Sequence, residues 1–284
     1  MAAVLSSALG GMSVAVTRFI IADTDPITLA LLRFGLGFIL LLPLALALRT
    51  RWPRGKDWLG VALLGLLFFA LYFVVFNVSL GYTTATRGAL ALSILPLLTM
   101  VVGALLRVEA LTARKSIGVF IAISGVAIAL VIDLGSTPHG AWRGDLIMIA
   151  GATCYAFYNV CSPPFIVRST PLAFVTTAMG SGGACLLLLT WWNSPFTVVR
   201  SLEWQQWMAV GYLGIFGTAL TYLLWVFALG RTTPTRVANS ITIVPIVAAI
   251  GGAILVGEPV GLHLFIGIAA VGIGIGIAST GRQE

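Results

Sequence analysis

The side chains of this sequence that could carry out covalent chemistry are few and lie far apart. Serines within the long apolar stretches have no histidine or carboxylate nearby, and Cys154, Cys161 and Cys185 lack the spacing of a metal site. Hydrolysis or group transfer there would need a nucleophile beside a base, a pair of aspartates or a set of metal ligands. We therefore expect no enzymatic activity, no metal and no cofactor, and an intramembrane enzyme is only a distant alternative.

The remaining polar and aromatic side chains suit noncovalent recognition of an organic molecule. A side-chain amide in apolar surroundings costs several kcal/mol unless it meets a partner or water. Asn159 and Asn239 are therefore the strongest candidates, although each could equally form a hydrogen bond between helices. The candidate substrate-binding residues are Ser13, Tyr72, Phe76, Ser93, Tyr158, Asn159, Tyr222, Trp225, Asn239 and Thr242.

An aromatic stripe accompanies these polar residues. Phe69, Tyr72, Phe73 and Phe76 recur at spacings of three and four, which places them on one face of a helix. Such a stripe is typical of core packing, but aromatic walls with a few hydroxyls and amides also suit a large neutral or zwitterionic solute. The sequence leaves both interpretations open.

The composition predicts that lipid surrounds the elements that carry these residues. Of the 284 residues, 59% are hydrophobic and 9% are charged, against about 25% charged in an ordinary soluble domain. The apolar runs are continuous, as in membrane helices, and do not alternate as in barrel strands. We predict an all-α integral membrane protein with ten transmembrane helices. They lie near 3–22, 28–48, 58–80, 84–106, 114–133, 145–166, 171–192, 207–229, 234–255 and 260–280.

The net charge of +7 reflects the predicted topology of the chain. With the first residue in the cytoplasm, the cytoplasmic loops and the C-terminal tail hold ten Lys and Arg, and the opposite loops hold two. This bias is the positive-inside rule, and it places both termini in the cytoplasm. We therefore expect a multi-pass membrane protein, with the lipid bilayer and a small-molecule substrate as partners and no nucleic acid. The sequence does not predict an oligomeric state.

The second half of the chain repeats the first. Residues 80–129 and 229–278 match at a fixed offset of 149, with 18 identities in 50 positions. The identities include arginine, glutamate, threonine and proline, which an apolar composition would not repeat by chance. Each unit has five predicted helices, the first in 1–137 and the second in 138–284. Because five is odd, the second unit enters the membrane from the opposite side, which predicts two inverted repeats around a central cavity.

Two pairs of repeated residues suggest gates or kinks. Arg87 and Arg236 begin the fourth and ninth spans, where we expect each side chain to extend to the nearest membrane surface, with a gating role as the alternative. Pro96 and Pro245 lie near mid-span. Each removes one helical hydrogen bond and can bend its helix, which would widen a cavity between the units.

Glutamates and glycines complete the repeated pattern. Glu109 and Glu258 end the fourth and ninth spans, and this position favours capping or loop anchoring over proton transport through the membrane. The glycine runs over 118–125 and 267–276 predict close helix packing.

The segments GALLRVEALTARKSIGVFIAISGVAIAL and GGAILVGEPVGLHLFIGIAAVGIGIGIA carry a family resemblance. Both resemble the closing part of the EamA unit of the drug/metabolite transporter superfamily. Pro26 and Arg33 match its opening part, but the second unit has Pro171 and Ala178, which argues against a symmetric role for Arg33. Within the superfamily the chain looks most like the bacterial YddG-type aromatic amino acid exporters.

The resemblance implies a cavity lined by spans 1, 3, 4, 6, 8 and 9, and export of aromatic amino acids or similar metabolites from the cytoplasm across a bacterial inner membrane. The duplicated halves with their mid-span prolines favour alternating access. The residues add that no Asp, Glu, His or Lys lies at a predicted midplane. We therefore expect an uncharged cavity, poorly suited to phosphates, and a facilitator. A broader drug or metabolite exporter coupled to a proton gradient is the alternative.

Overall fold

The computed structural model describes residues 1–108, 113–132, 140–192, 199, 202–259 and 261–279. Within this part of the chain every regular element is helical. Ten long helices, counted in the described residues, are α1 Ala2–Ile20, α2 Pro26–Ala47, α3 Asp57–Tyr82, α4 Ala85–Leu105, α5 Ala113–Ile132, α6 Ala141–Arg168, α7 Pro171–Trp192, α8 Trp204–Leu229, α9 Pro234–Leu255 and α10 Leu262–Ser279.

Eight of these helices are long and apolar enough to cross a membrane, judged on the described residues. The two others are α5 and α10, and α10 holds a shorter apolar stretch over Leu264–Ile273. The prediction of an all-helical membrane protein is therefore confirmed. The count of ten spans stays a prediction.

Local chemistry determines where several helices begin. Asp25 caps α2 by accepting hydrogen bonds from the backbone N–H groups of Ile27 and Thr28, and Pro26 occupies the first turn, where no N–H is needed. Thr84 caps α4 through the N–H of Arg87. Asn77, near the end of α3, donates to the Pro26 carbonyl and so links α3 to the start of α2.

Irregular turns occur at equivalent places in the two halves. A π-helical segment spans Leu66–Tyr72 in α3 and another spans Ile215–Leu220 in α8, and their first residues are 149 apart. In α4 the helix is interrupted at Ser93 and Ile94, just before Pro96. In α9 a 3₁₀ segment, Asn239–Ile243, precedes Pro245. Both prolines thus follow an interruption, because neither can donate the hydrogen bond that would continue the preceding turn.

The helices pack in pairs that link the halves. Helix α1 lies against α8 and α9, and α6 lies against α3 and α4. Helix α2 packs on α7, and α5 packs on α10. Glycine allows the closest approach in the last pair, where a Cβ on Gly125 would collide with that of Ala270. The predicted close packing at this glycine is confirmed.

Arg87 lies inside the bundle, which corrects the sequence interpretation. The residue is 1% exposed, its Nη2 is ion-paired with Asp145, and its Nη1 donates to the Leu130 carbonyl at 2.9 Å. Asp145 also accepts a hydrogen bond from Thr83 Oγ1 at 2.8 Å. The expected extension of Arg87 to the membrane surface is wrong, because a carboxylate 58 residues later provides its counter-ion. The repeat partner Arg236 is exposed.

Glu258 acts as a cap, as its position at a span end predicts. Its carboxylate accepts two hydrogen bonds from the backbone N–H of Ala85, at 2.9 and 3.1 Å, and so caps α4 of the other half. Arg18 reaches the same carboxylate at 3.4 Å and donates to the Leu80 carbonyl at 2.8 Å. Gly257, with φ of 70°, provides the left-handed turn just before it. Glu109 lies outside the described residues.

Candidate functional site

A small cavity of about 40 Å³ lies where seven helices converge. The contributors are α1, α2, α3, α4, α6, α8 and α9, so the six spans that the resemblance implied are joined by α2. The lining residues are Ser6, Ser7, Gly10, Ser13, Val14, Arg33, Tyr72, Phe73, Phe76, Leu92, Tyr155, Thr221, Tyr222, Trp225, Ile241 and Val244.

Aromatic rings form much of the cavity wall and pack on a ring core behind it. Phe68 lies in that core with no exposed surface, stacked on Tyr158 at 4.2 Å and on Tyr72 at 5.1 Å between centroids. Tyr72 in turn contacts Tyr155 at 5.2 Å, and Tyr155 contacts Trp225 at 5.5 Å. The stripe on α3 therefore serves both purposes left open by the sequence, since one part packs the core and another lines the cavity.

A hydrogen bond between helices fixes the indole of the wall. Trp225 Nε1 donates to Asn159 Oδ1 at 3.0 Å, and Asn159 Nδ2 lies 3.5 Å from Thr99 Oγ1. Asn159 has no exposed surface, and it is absent from the cavity lining. Its amide thus holds Trp225 in place.

The hydroxyls of α1 contribute polarity to the cavity. Ser6 donates to the Thr221 carbonyl at 2.8 Å, Ser7 lies 2.7 Å from Ser240 Oγ, and Ser13 donates to the Leu9 carbonyl at 2.8 Å. The bonds of Ser6 and Ser7 tie α1 to α8 and α9, whereas that of Ser13 lies within α1. All three leave hydroxyl oxygens in the wall as acceptors.

Arg33 provides a positive charge to the cavity. It is 2% exposed, its Nε donates to Thr218 Oγ1 at 2.8 Å, and its Nη2 donates to the Gly217 carbonyl at 2.7 Å. The guanidinium carbon lies 4.7 Å from the centroid of the Phe73 ring and 5.5 Å from that of Phe34. Among the described residues no carboxylate is paired with it. The expectation of an uncharged cavity is wrong.

The sequence can be compared with known proteins once this arrangement is described. A model of the EamA-like transporter family matches residues 1–131 and 142–280. The chain belongs to the EamA-like transporter family. It is accordingly a membrane transporter of the drug/metabolite transporter superfamily.

Proteins similar in sequence to this EamA-like transporter are themselves named as transporters or exporters. The chain is 26% identical over 275 residues to the transporter YyaM of Bacillus subtilis strain 168, covering 95% of this chain and 89% of that one. It is 27% identical over 238 residues to a probable terminal-alkyne amino-acid exporter of Streptantibioticus cattleyicolor, covering 81% and 76%. A crystal structure with 19% identity superposes with a TM-score of 0.67 over 96% of both chains, which shows a shared fold.

Five of the predicted binding residues line the cavity of the transporter. They come from α1, α3 and α8, and they are Ser13, Tyr72, Phe76, Tyr222 and Trp225. Trp225 is 1% exposed, so the side chain lies within the bundle rather than at the membrane interface.

The other five lie outside the lining. Ser93 is buried and donates to the Leu90 carbonyl at 2.6 Å, and Tyr158 stacks in the ring core. Asn159 supports Trp225 from behind. Asn239 and Thr242 are half-buried in the 3₁₀ segment of α9, where the threonine hydroxyl donates to the Asn239 carbonyl. Depth within a span identified these residues correctly as buried or half-buried, but it could not identify the face of the helix on which each lies.

Several lining residues were missing from the prediction. Ser6, Gly10 and Ser13 follow one another at spacings of four and three, so a stripe of small residues on α1 could have revealed the first two. Arg33 was visible as the arginine seven residues after Pro26, but its place in the cavity depends on how α2 packs against α8.

Proposed function

We propose that the transporter exports small organic metabolites carrying an aromatic ring, most simply aromatic amino acids, by alternating access and as a facilitator. The observation that carries this proposal is the convergence of Tyr72, Phe76, Tyr222 and Trp225 on one cavity together with hydroxyls and a single cation. Rings offer a large apolar contact area, and the few polar groups can orient a zwitterion. The amino-acid exporter named above supports the choice of amino acids.

We further propose that the two halves, residues 1–137 and 138–284, are inverted repeats that rock against each other. Support comes from the two segments that the family model matches and from the equivalent π-helical turns in α3 and α8. In the proposed repeat α1, α3 and α4 correspond to α6, α8 and α9. Helix α1 packs against α8 and α9, and its equivalent α6 packs against α3 and α4, as a twofold relation between the halves requires.

Ion pairs between the halves would open and re-form as the halves rock. Asp57 of the first half forms a bidentate pair with Arg168 of the second, at 2.8 and 2.9 Å. Arg18 meets Glu258 at the opposite end of the bundle. Alternating access would require at least one of these contacts to open in each cycle, and gating by Arg87, Arg236, Pro96 or Pro245 belongs to the same proposal.

Facilitated movement is proposed because the described lining residues include no Asp, Glu or His that could carry a coupling proton. We place the protein in the bacterial inner membrane with both termini in the cytoplasm, on the basis of the loop charges. No oligomeric state is implied.

Transport in liposomes tests the substrate and the coupling together. Purified protein is expected to exchange tryptophan and phenylalanine faster than aspartate or lysine, and equal rates for all four would contradict the aromatic preference. A proton gradient alone should not concentrate tryptophan. Proton-driven accumulation would favour the coupled exporter instead.

A matched pair of tryptophan variants tests whether the cavity is the route. Trp225→Ala removes a ring from the wall, and Trp191→Ala removes a ring that is 73% exposed. We expect Trp225→Ala to slow phenylalanine exchange at least about tenfold, because a buried aromatic anchor provides much of the contact energy. Trp191→Ala should retain the wild-type rate. Equal rates in both variants would contradict the site.

A further inference from the structure

We propose that Arg33 binds the carboxylate of the transported molecule, so that the substrate class is a small monocarboxylate with an apolar or aromatic body. This inference rests on the proposed function, since it assigns a chemical group to the same cavity. It is carried by the position of a buried guanidinium in the cavity wall and by the way its nitrogens are used.

Arg33 has no counter-ion among the described residues. Arg33 is 2% exposed, yet the ion pairs formed within the described residues involve Arg18, Arg87 and Arg168 and leave it out. A buried charge with no opposite charge beside it is expensive. An anionic group of the substrate would supply that charge each time it binds.

The second step is the anchoring of the side chain. Two of its nitrogens are fixed on α8, Nε to Thr218 and Nη2 to the Gly217 carbonyl. The third, Nη1, is buried and has no hydrogen-bond partner among the described residues. One edge of the guanidinium is thus held in place while a donor stays available, which is a preorganised arrangement for a charged acceptor.

The third step is the amount of charge that the cavity can balance. Arg33 is the cation found among its lining residues, and the remaining polar groups are hydroxyls of serine, threonine and tyrosine. One guanidinium, whose Nη1 carries two N–H groups with no acceptor among the described residues, matches a singly charged carboxylate. A phosphate monoester, with nearly two charges, would need more positive charge.

The fourth step concerns the body of the substrate. Phe73 lies beneath the guanidinium at 4.7 Å, and Tyr72, Phe76 and Tyr222 line the same cavity. A molecule whose carboxylate meets Arg33 therefore places its next carbons among rings. Helix α1 contributes Ser6 and Ser7 to the same lining, and their hydroxyl oxygens could accept hydrogen bonds from an amino group.

The test compares amino acids with the matching amino alcohols, which keep the amine and side chain and lose the carboxylate. The pairs are phenylalanine with phenylalaninol, tryptophan with tryptophanol, and leucine with leucinol. Exchange rates are measured in liposomes containing the full chain. Wild-type protein should move each acid at least about tenfold faster than its alcohol, a ratio typical of a lost charge-assisted hydrogen bond.

Variants of Arg33 show whether this residue causes the preference. Arg33→Gln should slow the acids at least about tenfold and change the alcohols less than about twofold. Arg33→Lys keeps the positive charge but lacks the planar guanidinium donors, so its rates for the acids should lie between those of wild type and Arg33→Gln. Arg231→Gln is the matched control, because Arg231 is exposed at the end of α8, and it should leave every rate unchanged. If Arg33→Gln does not fold, Arg33→Lys and the wild-type pairs decide the question.

The outcomes separate this inference from the proposed function. Equal rates for phenylalanine and phenylalaninol, with both faster than leucine, would overturn the role of Arg33 and leave the aromatic preference intact. Fast leucine beside slow leucinol, with phenylalanine no faster than leucine, would support Arg33 and overturn the aromatic preference. Equal losses for acids and alcohols in Arg33→Gln would make Arg33 a structural residue and overturn the inference. Failure of wild-type protein to move any of the acids would overturn both proposals.

Discussion

Two buried arginines in this transporter have opposite surroundings. Arg87 is 1% exposed and is ion-paired with Asp145, which itself is held by Thr83. Arg33 is 2% exposed, lines the cavity and lies over the Phe73 ring, with no carboxylate beside it among the described residues. The charge of Arg87 is neutralised within the fold. That of Arg33 is the one that we propose the substrate carboxylate neutralises.

The comparison shows that burial alone does not reveal what a charged residue does in a membrane protein. A buried ion pair such as Arg87–Asp145 stabilises one arrangement of helices, and removal of one partner is strongly destabilising. A buried charge with no counter-ion among the described residues, such as Arg33, lowers stability, and we propose that it binds the substrate carboxylate. The four changes that follow are ordered from the largest expected effect on stability to the smallest.

Asp145→Asn should have the largest effect. It preserves the shape of the side chain but removes the charge of the carboxylate that is ion-paired with the buried Arg87, which we expect to cost about 3–5 kcal/mol. Thermal unfolding of the purified protein in detergent measures the loss. The double change Arg87→Met with Asp145→Leu serves as the control and should recover most of it, because both charges are then removed. A wild-type melting temperature for Asp145→Asn would show that Arg87 is not held by this pair.

Asn159→Leu should have an intermediate effect, since it breaks a buried polar contact that carries no charge. The indole N–H of Trp225 would lose its acceptor, at a cost of about 1–3 kcal/mol. Adding Trp225→Phe to this variant removes the stranded donor. A double-mutant cycle measures the coupling between the two side chains. Purely additive effects would indicate that the 3.0 Å hydrogen bond contributes little.

Arg33→Gln should change stability by less than about 1 kcal/mol, because the removal of a buried charge is offset by the loss of its hydrogen bonds to Thr218 and Gly217. The large effect of this change is expected in transport of carboxylates. Unfolding and exchange are measured on the same preparation. A stability loss as large as that of Asp145→Asn would remove the contrast between the two arginines.

Arg236→Gln should have the smallest effect, although the sequence pairs Arg236 with Arg87 across the repeat. Arg236 is exposed, and exposed substitutions usually shift stability by less than about 0.5 kcal/mol. Melting temperature and phenylalanine exchange should both match the wild type. A clear loss of exchange at unchanged stability would instead support the predicted gating role.

Much of the fold could be predicted because the relevant signals are local. The apolar runs of eight helices, the caps formed by Asp25 and Thr84, and the interruptions before Pro96 and Pro245 all depend on residues close together in sequence. The candidate site was predicted only in part. Depth along a span is a one-dimensional property, and it led to Ser13, Tyr72 and Tyr222 but also to Ser93 and Thr242, which lie off the lining.

The sequence by itself determined that this is a helical membrane protein with an internal duplication, since lipid demands long apolar runs and a fixed offset of 149 needs no coordinates to detect. Only the tertiary structure decided that Asp145 neutralises Arg87, that Asn159 supports Trp225 and that Arg33 lines the cavity. The physical reason is that each outcome depends on the rotation of a helix about its axis. Packing against distant helices determines that rotation, and the hydrophobicity of one span does not.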